Sequence, residues 1–162
     1  MKSPQSAIRN PQSSLTLLDY AYRLLARRAY SEQELADKLL AKGFTAAAVT
    51  RTVTRLMSQG YLDDTRLAAE QAERLRARGF GSEGIKAKLV QKGLTPATVA
   101  QTLETSGENQ DLESARRLLA SRFSTDALKQ SQIQARAYRL LLRRGYSQEV
   151  VESLLGSASE DV

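Results

Sequence analysis

The chain has 162 residues and a formal net charge of +6, with 41% hydrophobic and 26% charged residues. That is a globular composition sized for one ordinary domain or a few very small modules. It has no cysteine, histidine or tryptophan. Disulfides, thiolate metal sites, cysteine nucleophiles and the usual neutral-pH general base are therefore excluded. Ala, Leu, Arg, Gln and Glu dominate, which favours helix, and β-branched residues are too few for a sheet.

The charge is uneven. Residues 1–60 carry nine basic and four acidic groups, residues 61–108 seven of each, and residues 109–162 eight against seven. Arginine outnumbers lysine, which suits bidentate contacts to carboxylate or phosphate. A basic front portion is compatible with nucleic acid or an acidic protein surface. No apolar run approaches the roughly 20 residues of a membrane span. Met1 to Ser14 is polar, with no apolar core of the signal-peptide kind. The expectation is a cytoplasmic protein with no membrane contact, whose residues 1–14 are disordered.

In chain order, Leu17, Leu18, Ala21, Leu24 and Leu25 form a helical stripe within residues 15–28. Ser31 opens a second helix with Glu34 three residues on, a capping-box spacing. Leu35 and Leu39 give its buried face, and Gly43 stops it. Thr45 caps a third helix carrying Val49, Val53, Leu56 and Met57 to Gly60. In Gly60-Tyr61-Leu62-Asp63-Asp64, Gly60 suits the left-handed position after a helix, and Asp63 or Asp64 can cap the next. A fourth helix carries Leu67, Ala68, Ala72 and Leu75 to Gly79. A fifth runs from about Ser82 through Ile85 and Leu89 to Gly93. Thr95-Pro96 opens a sixth, with Val99 and Leu103 inward, ending at Ser106-Gly107. After a polar linker to Gln110, Leu112, Ala115, Leu118 and Leu119 mark a seventh helix. Ser124 to Asp126 offers caps for a long eighth bearing Ile133, Ala137, Leu140 and Leu141. Ser147 starts a ninth, with Val150, Val151, Leu154 and Leu155, and Gly156 closes it.

Two registers repeat. A shift of 50 lays Leu35 on Ile85, Leu39 on Leu89, Lys42-Gly43 on Lys92-Gly93, Thr45 on Thr95 and Val49 on Val99. A shift of 116 lays Tyr22-Arg23-Leu24-Leu25 on Tyr138-Arg139-Leu140-Leu141, Arg27-Arg28 on Arg143-Arg144, and Tyr30-Ser31 on Tyr146-Ser147. The fold class this implies is all-α: three tandem three-helix modules at 15–60, 61–107 and 108–156, with a frayed tail at 157–162. Each module is too small to be stable alone and leans on its neighbours for burial, in an elongated, curved array.

An Arg-x-[Tyr/Phe] joint recurs at Arg28-Ala29-Tyr30, Arg78-Gly79-Phe80 and Arg144-Gly145-Tyr146. Its aromatics read as pins for the turns, and its arginines as helix-end complements or partner contacts. Arg23 and Arg27, Arg74 and Arg78, and Arg139 and Arg143 lie four apart on helix faces, and Arg136 joins the last face. A single such face is ordinarily just solvated. Three at matching repeat positions predict an extended basic surface able to follow a phosphate backbone or an acidic groove. The candidate partner-binding residues are thus Arg23, Arg27, Arg28, Arg74, Arg78, Arg139, Arg143 and Arg144. A helix-turn-helix reading is weak, since no recognition-helix pattern stands out. No Walker loop, nucleophile elbow or metal-ligand spacing occurs, so neither an enzyme nor a cofactor is expected.

The Gly60-Tyr61-Leu62-Asp63-Asp64-x-Arg66-Leu67-Ala68 joint, followed by Gly79-Phe80-Gly81…Ile85…Leu89…Lys92-Gly93, resembles the RecX family. Tyr30-Ser31-Glu32-Gln33-Glu34-Leu35 and Arg144-Gly145-Tyr146 are similar to that family's other landmarks. The likeness covers residues 15–156. Leu67 stands where the family more often has phenylalanine, and Ser82-Glu83-Gly84 replaces a more usual proline-containing turn. Gly84 early in a helix costs ~1 kcal/mol relative to alanine, predicting a late or frayed start. The resemblance implies an elongated, curved protein that binds the RecA recombinase filament and limits its growth, ATPase, strand exchange and SOS coprotease activity. Independently of it, a monomer is expected, and the basic surface makes single- or double-stranded DNA a further expected partner. The alternative is a sequence-independent DNA-binding protein acting without RecA.

Overall fold

Thr16 sets the start of the first helix by a reciprocal cap: its hydroxyl accepts from the Asp19 amide while the Asp19 carboxylate accepts from the Thr16 amide. That exchange satisfies two amides that the first turn leaves without intrahelical partners. The computed structural model describes residues 16–104 and 108–156. The regular structure among the described residues is all helical, with no strand. In order they form α1 (Leu17–Leu25), α2 (Glu32–Ala41), α3 (Ala46–Ser58), α4 (Asp64–Ala77), α5 (Ser82–Gln91), α6 (Pro96–Glu104), α7 (Glu108–Arg122), a 3₁₀ turn (Ala127–Lys129), α8 (Ser131–Arg143) and α9 (Gln148–Leu155). The expected disorder at 1–14, the Ser106-Gly107 stop and the tail at 157–162 lie outside the described residues.

The chain divides into two compact units. One comprises residues through Tyr30 together with Glu34–Leu62; the other comprises Ser31–Gln33 and everything from Asp63 onward.

In the first unit, Ala21, Leu35, Leu39 and Leu56 are fully buried, joined by Leu24, Tyr30, Val49 and Leu62. Full burial of each large aliphatic side chain contributes roughly 1.5–3 kcal/mol. Gly60 takes φ +74°, and the next amide, Tyr61 N, closes on the Leu56 carbonyl at 2.9 Å. Only glycine adopts that left-handed geometry cheaply. Leu62 enters the core, whereas Tyr61 stays more than half exposed, its ring edge-on to Tyr22 at 5.1 Å.

The second unit holds two clusters. Leu67, Ala68, Ala72, Leu75, Ile85, Leu89, Leu94 and Val99 form one. Ala115, Leu118, Leu119, Ala137, Leu141, Tyr146, Val150, Val151 and Leu155 form the other. Repeat-related positions share burial: Leu35 and Ile85, Leu39 and Leu89, and Ala21 and Ala137 are all inaccessible. Asp63 is the residue that caps α4, accepting from Arg66 N at 2.9 Å, while Asp64 accepts from Glu32 N at 3.0 Å.

Four boundaries differ from the sequence expectation. The first helix stops at Leu25, three residues early, because Ala26 and Arg27 turn off its last carbonyls. The seventh starts at Glu108, ahead of the expected linker end at Gln110. Ser124 does cap, but its hydroxyl accepts from Ala127 N and so serves the 3₁₀ turn; extended Gln130 then separates that turn from α8. The fifth helix starts at Ser82 without delay despite Gly84.

Gly84 is there for packing. A Cβ on it would lie 2.2 Å from the Arg144 carbonyl oxygen, and one on Gly81 2.5 Å from the Gly145 oxygen. The absent side chains let the start of α5 meet the end of α8 backbone to backbone. Gly81 N donates to Arg144 O at 3.0 Å and Glu83 N to Gly145 O at 3.1 Å. Asp111, on α7, supplies the missing cap by accepting from Ser82 N at 2.8 Å.

Candidate functional site: an arginine-lined groove and three aromatic joints

The eight candidate arginines fall into different settings. Arg23 and Arg27 are exposed on and just after α1. Arg28 is engaged: its two terminal nitrogens donate to Glu34 at 2.8 and 2.6 Å, and its guanidinium lies 3.7 Å from the Tyr30 ring centre. The hydrogen bond to Glu34 raises its pKa further above the ordinary arginine value. Fork geometry of this kind fixes the side chain in place.

The repeat partner of Arg28 is Arg144, and it has a different job. Its Nη1 donates to the Arg78 carbonyl at 2.7 Å, and its guanidinium lies 4.7 Å from the Phe80 ring centre. Lys88 and Arg78 also face that ring, at 4.8 and 5.9 Å. Phe80 thus gathers three cations in the joint between α4 and α5, a contact type worth ~0.5–1 kcal/mol where exposed. Tyr146, the third joint aromatic, is buried, and its hydroxyl shares a 2.9 Å hydrogen bond with Ser114. Burial pushes the Tyr146 phenol pKa up. The aromatics therefore pin their turns, as the sequence suggested.

Arg139 and Arg143 are the candidates that the fold concentrates. With Arg122 at the end of α7 and Arg136 on α8, they line a groove of about 760 Å³ whose other walls are Phe123, Leu140 and Leu142. All four arginines are exposed, and among the described residues none is in a salt bridge. The lining holds no carboxylate. Arg74 and Arg78 lie outside this groove. Arg122 went unnoticed in the sequence because it belongs to a different helix, so no spacing along one helix links it to α8.

Arg76 is the other residue missed. It is 8% exposed, and among the described residues its Nε and Nη2 have no hydrogen-bond partner; Glu73 lies 3.8 Å from Nη1. Its position inside the Arg74–Arg78 run resembled one more solvated charge. Among the described residues no group of His, Cys, Asp and Glu could hold a metal, and no helix is long and apolar enough to cross a membrane.

The described residues thus form an all-helical repeat with an arginine-lined groove, and the comparisons specify the kind of protein it belongs with. Residues 18–56 match the first three-helix domain of RecX, and residues 108–155 match its third. The regulatory protein RecX of Xanthomonas axonopodis pv. citri is 35% identical over 131 residues, covering 81% of this chain and 80% of that one. Its counterpart from Stenotrophomonas maltophilia strain K279a is 35% identical over 144 residues, 88% and 86% of the two chains. The crystal structure of RecX from Lactobacillus salivarius superposes with a TM-score of 0.71 at 17% identity, over 88% of this chain and 94% of that one. The chain belongs to the RecX family of regulatory proteins.

Proposed function

We propose that this protein binds the RecA nucleoprotein filament and restrains it, lowering filament growth, ATP hydrolysis, strand exchange and SOS coprotease activity. The observation that carries the reading is the family relationship along most of the chain, together with the partner that a RecX resemblance implies. The free arginines support it: a nucleoprotein filament offers both acidic protein surface and phosphate. We read the protein as a cytoplasmic monomer with three modules at 15–60, 61–107 and 108–156, acting by contact and not by catalysis.

Among the eight candidates, Arg23, Arg27, Arg139 and Arg143 are the contact residues in this reading. Arg28 and Arg144 already hold their own joints. Charge reversal of the four should weaken binding to RecA filaments in a pull-down or anisotropy titration while leaving the helical circular dichroism intact. Unchanged affinity would refute these residues as the contact set.

A further inference from the structure

One cavity carries the opposite sign from the chain as a whole. Its volume is about 430 Å³, and it lies wholly within the second unit. That size is usual for a small-ligand site. Four helices each bring it one carboxylate: Glu83 on α5, Glu104 at the end of α6, Asp111 on α7 and Glu149 on α9. Among the described residues lining it, Lys86 is the one cation, 3.8 Å from Glu83. The remaining walls are largely apolar, with Val90, Pro96, Leu103 and Val150. Glu83 and Glu149 sit in first turns, where negative charge already complements the helix end. Asp111 is different. It is 6% exposed, its Oδ2 accepts from Ser82 N, and among the described residues its Oδ1 has no hydrogen-bond partner. A buried carboxylate oxygen without a donor has lost hydration and gained nothing in return. Among the described residues no three acidic groups gather as a metal site would. The negative charges are spaced along an apolar wall and not collected at a point.

From this arrangement we infer that the cavity lined by α5, α6, α7 and α9 is a binding site for a linear aliphatic polyamine, whose methylene chain lies on the apolar wall while its ammonium groups meet Asp111, Glu104 and Glu149. A chain of this kind uses both surfaces at once, as the stem and head of a lysine side chain do. One lysine of a partner protein would answer a single carboxylate and leave the others. A divalent ion would find no clustered ligands. The inference is independent of any contact with RecA.

The test is isothermal titration of the full chain, without nucleic acid or recombinase, at constant ionic strength. The probes are spermidine, putrescine and Nα-acetyl-lysine amide, and affinity should fall in that order as the number of ammonium groups falls. Asp111→Asn keeps an oxygen to accept from Ser82 N but removes the charge. It should weaken spermidine binding about tenfold, the scale of one charged hydrogen bond. Glu104→Gln with Glu149→Gln, at exposed positions, should weaken it at least as much. Should Asp111→Asn lose helical circular dichroism, this pair decides alone. Glu70→Gln with Glu113→Gln removes the same charge from exposed positions outside the cavity. It should change affinity by less than about twofold, because salt screens distant charges. The proposal is overturned if the two glutamine pairs act alike, or if spermidine gives no saturable heat. It is also overturned if Mg²⁺ displaces spermidine at equal charge, which would reduce the site to a patch of negative potential. Acetyl-lysine amide binding as tightly as spermidine would overturn it in favour of a basic side chain of a protein.

Discussion

Arg144 and Arg78 occupy repeat-related joints, yet one serves the other: the Arg144 guanidinium donates to the Arg78 carbonyl at 2.7 Å while covering Phe80. The Arg78 carbonyl lies at the C-terminal end of α4, where helix carbonyls run out of partners. Arg144→Ala should lower stability by about 1–2 kcal/mol, the scale of a partly exposed charged hydrogen bond plus a cation–ring contact. Arg144→Lys should recover less than half of that in urea unfolding, because an ammonium cannot present a planar fork to carbonyl and ring together. Full recovery by lysine would show that only charge matters there.

Gly84→Ala separates packing from helix propensity. In an isolated helix alanine gains ~1 kcal/mol over glycine. In this protein the new Cβ meets the Arg144 carbonyl oxygen at 2.2 Å, a backbone atom that cannot swing aside. The substitution should cost about 3 kcal/mol, the upper range of overpacking. Gly43→Ala is the comparison, with φ +99° and no atom within 4 Å of its Cβ. It should cost only the left-handed penalty of about 1–2 kcal/mol. Equal losses in thermal unfolding would contradict the close approach of α5 and α8.

Arg76 predicts the opposite sign. A buried cation with two nitrogens that find no partner among the described residues loses hydration without full compensation. Arg76→Met keeps the length and removes the charge, so stability should stay within about 1 kcal/mol of the parent or rise. A loss of about 3 kcal/mol or more, the cost of breaking a buried ion pair, would mean that the guanidinium has a partner in solution.

Glu32 and Asp64 give a pH test. Burial raises the pKa of both, and the charge of Asp64 adds to the rise at Glu32. A carboxyl whose folded pKa lies above its unfolded value contributes stability at low pH, and that contribution is lost as pH rises through the folded pKa. The reference values are 4.5 for Glu32 and 3.8 for Asp64, so the loss runs upward from pH ~4. Glu32→Gln removes one titration. Its stability relative to the parent should therefore improve as pH rises from about 4 in urea melts. A relative decline instead would reverse the sign.

Much of the fold was legible because helix stripes, caps and stop glycines repeat in register; the shared burial of Leu35 with Ile85 and Leu39 with Leu89 follows from that register. What stayed hidden depends on contacts between distant segments. Gly84 reads as a weak helix position until Arg144 O is found against it. Arg28 and Arg144 match in register, yet Arg28 meets a carboxylate and the neighbouring Ala29 carbonyl while Arg144 reaches the distant Arg78 carbonyl. Spacing along one helix also cannot tell buried Arg76 from exposed Arg74, or join Arg122 to α8.

The most direct test of the central claim is RecA's DNA-dependent ATP hydrolysis on filaments formed on single-stranded DNA, titrated with this protein. The account predicts inhibition well below one copy per RecA. Inhibition that appears only once the protein saturates the free DNA would point to simple competition by a DNA-binding protein acting without RecA. No effect at any ratio would contradict RecA regulation outright.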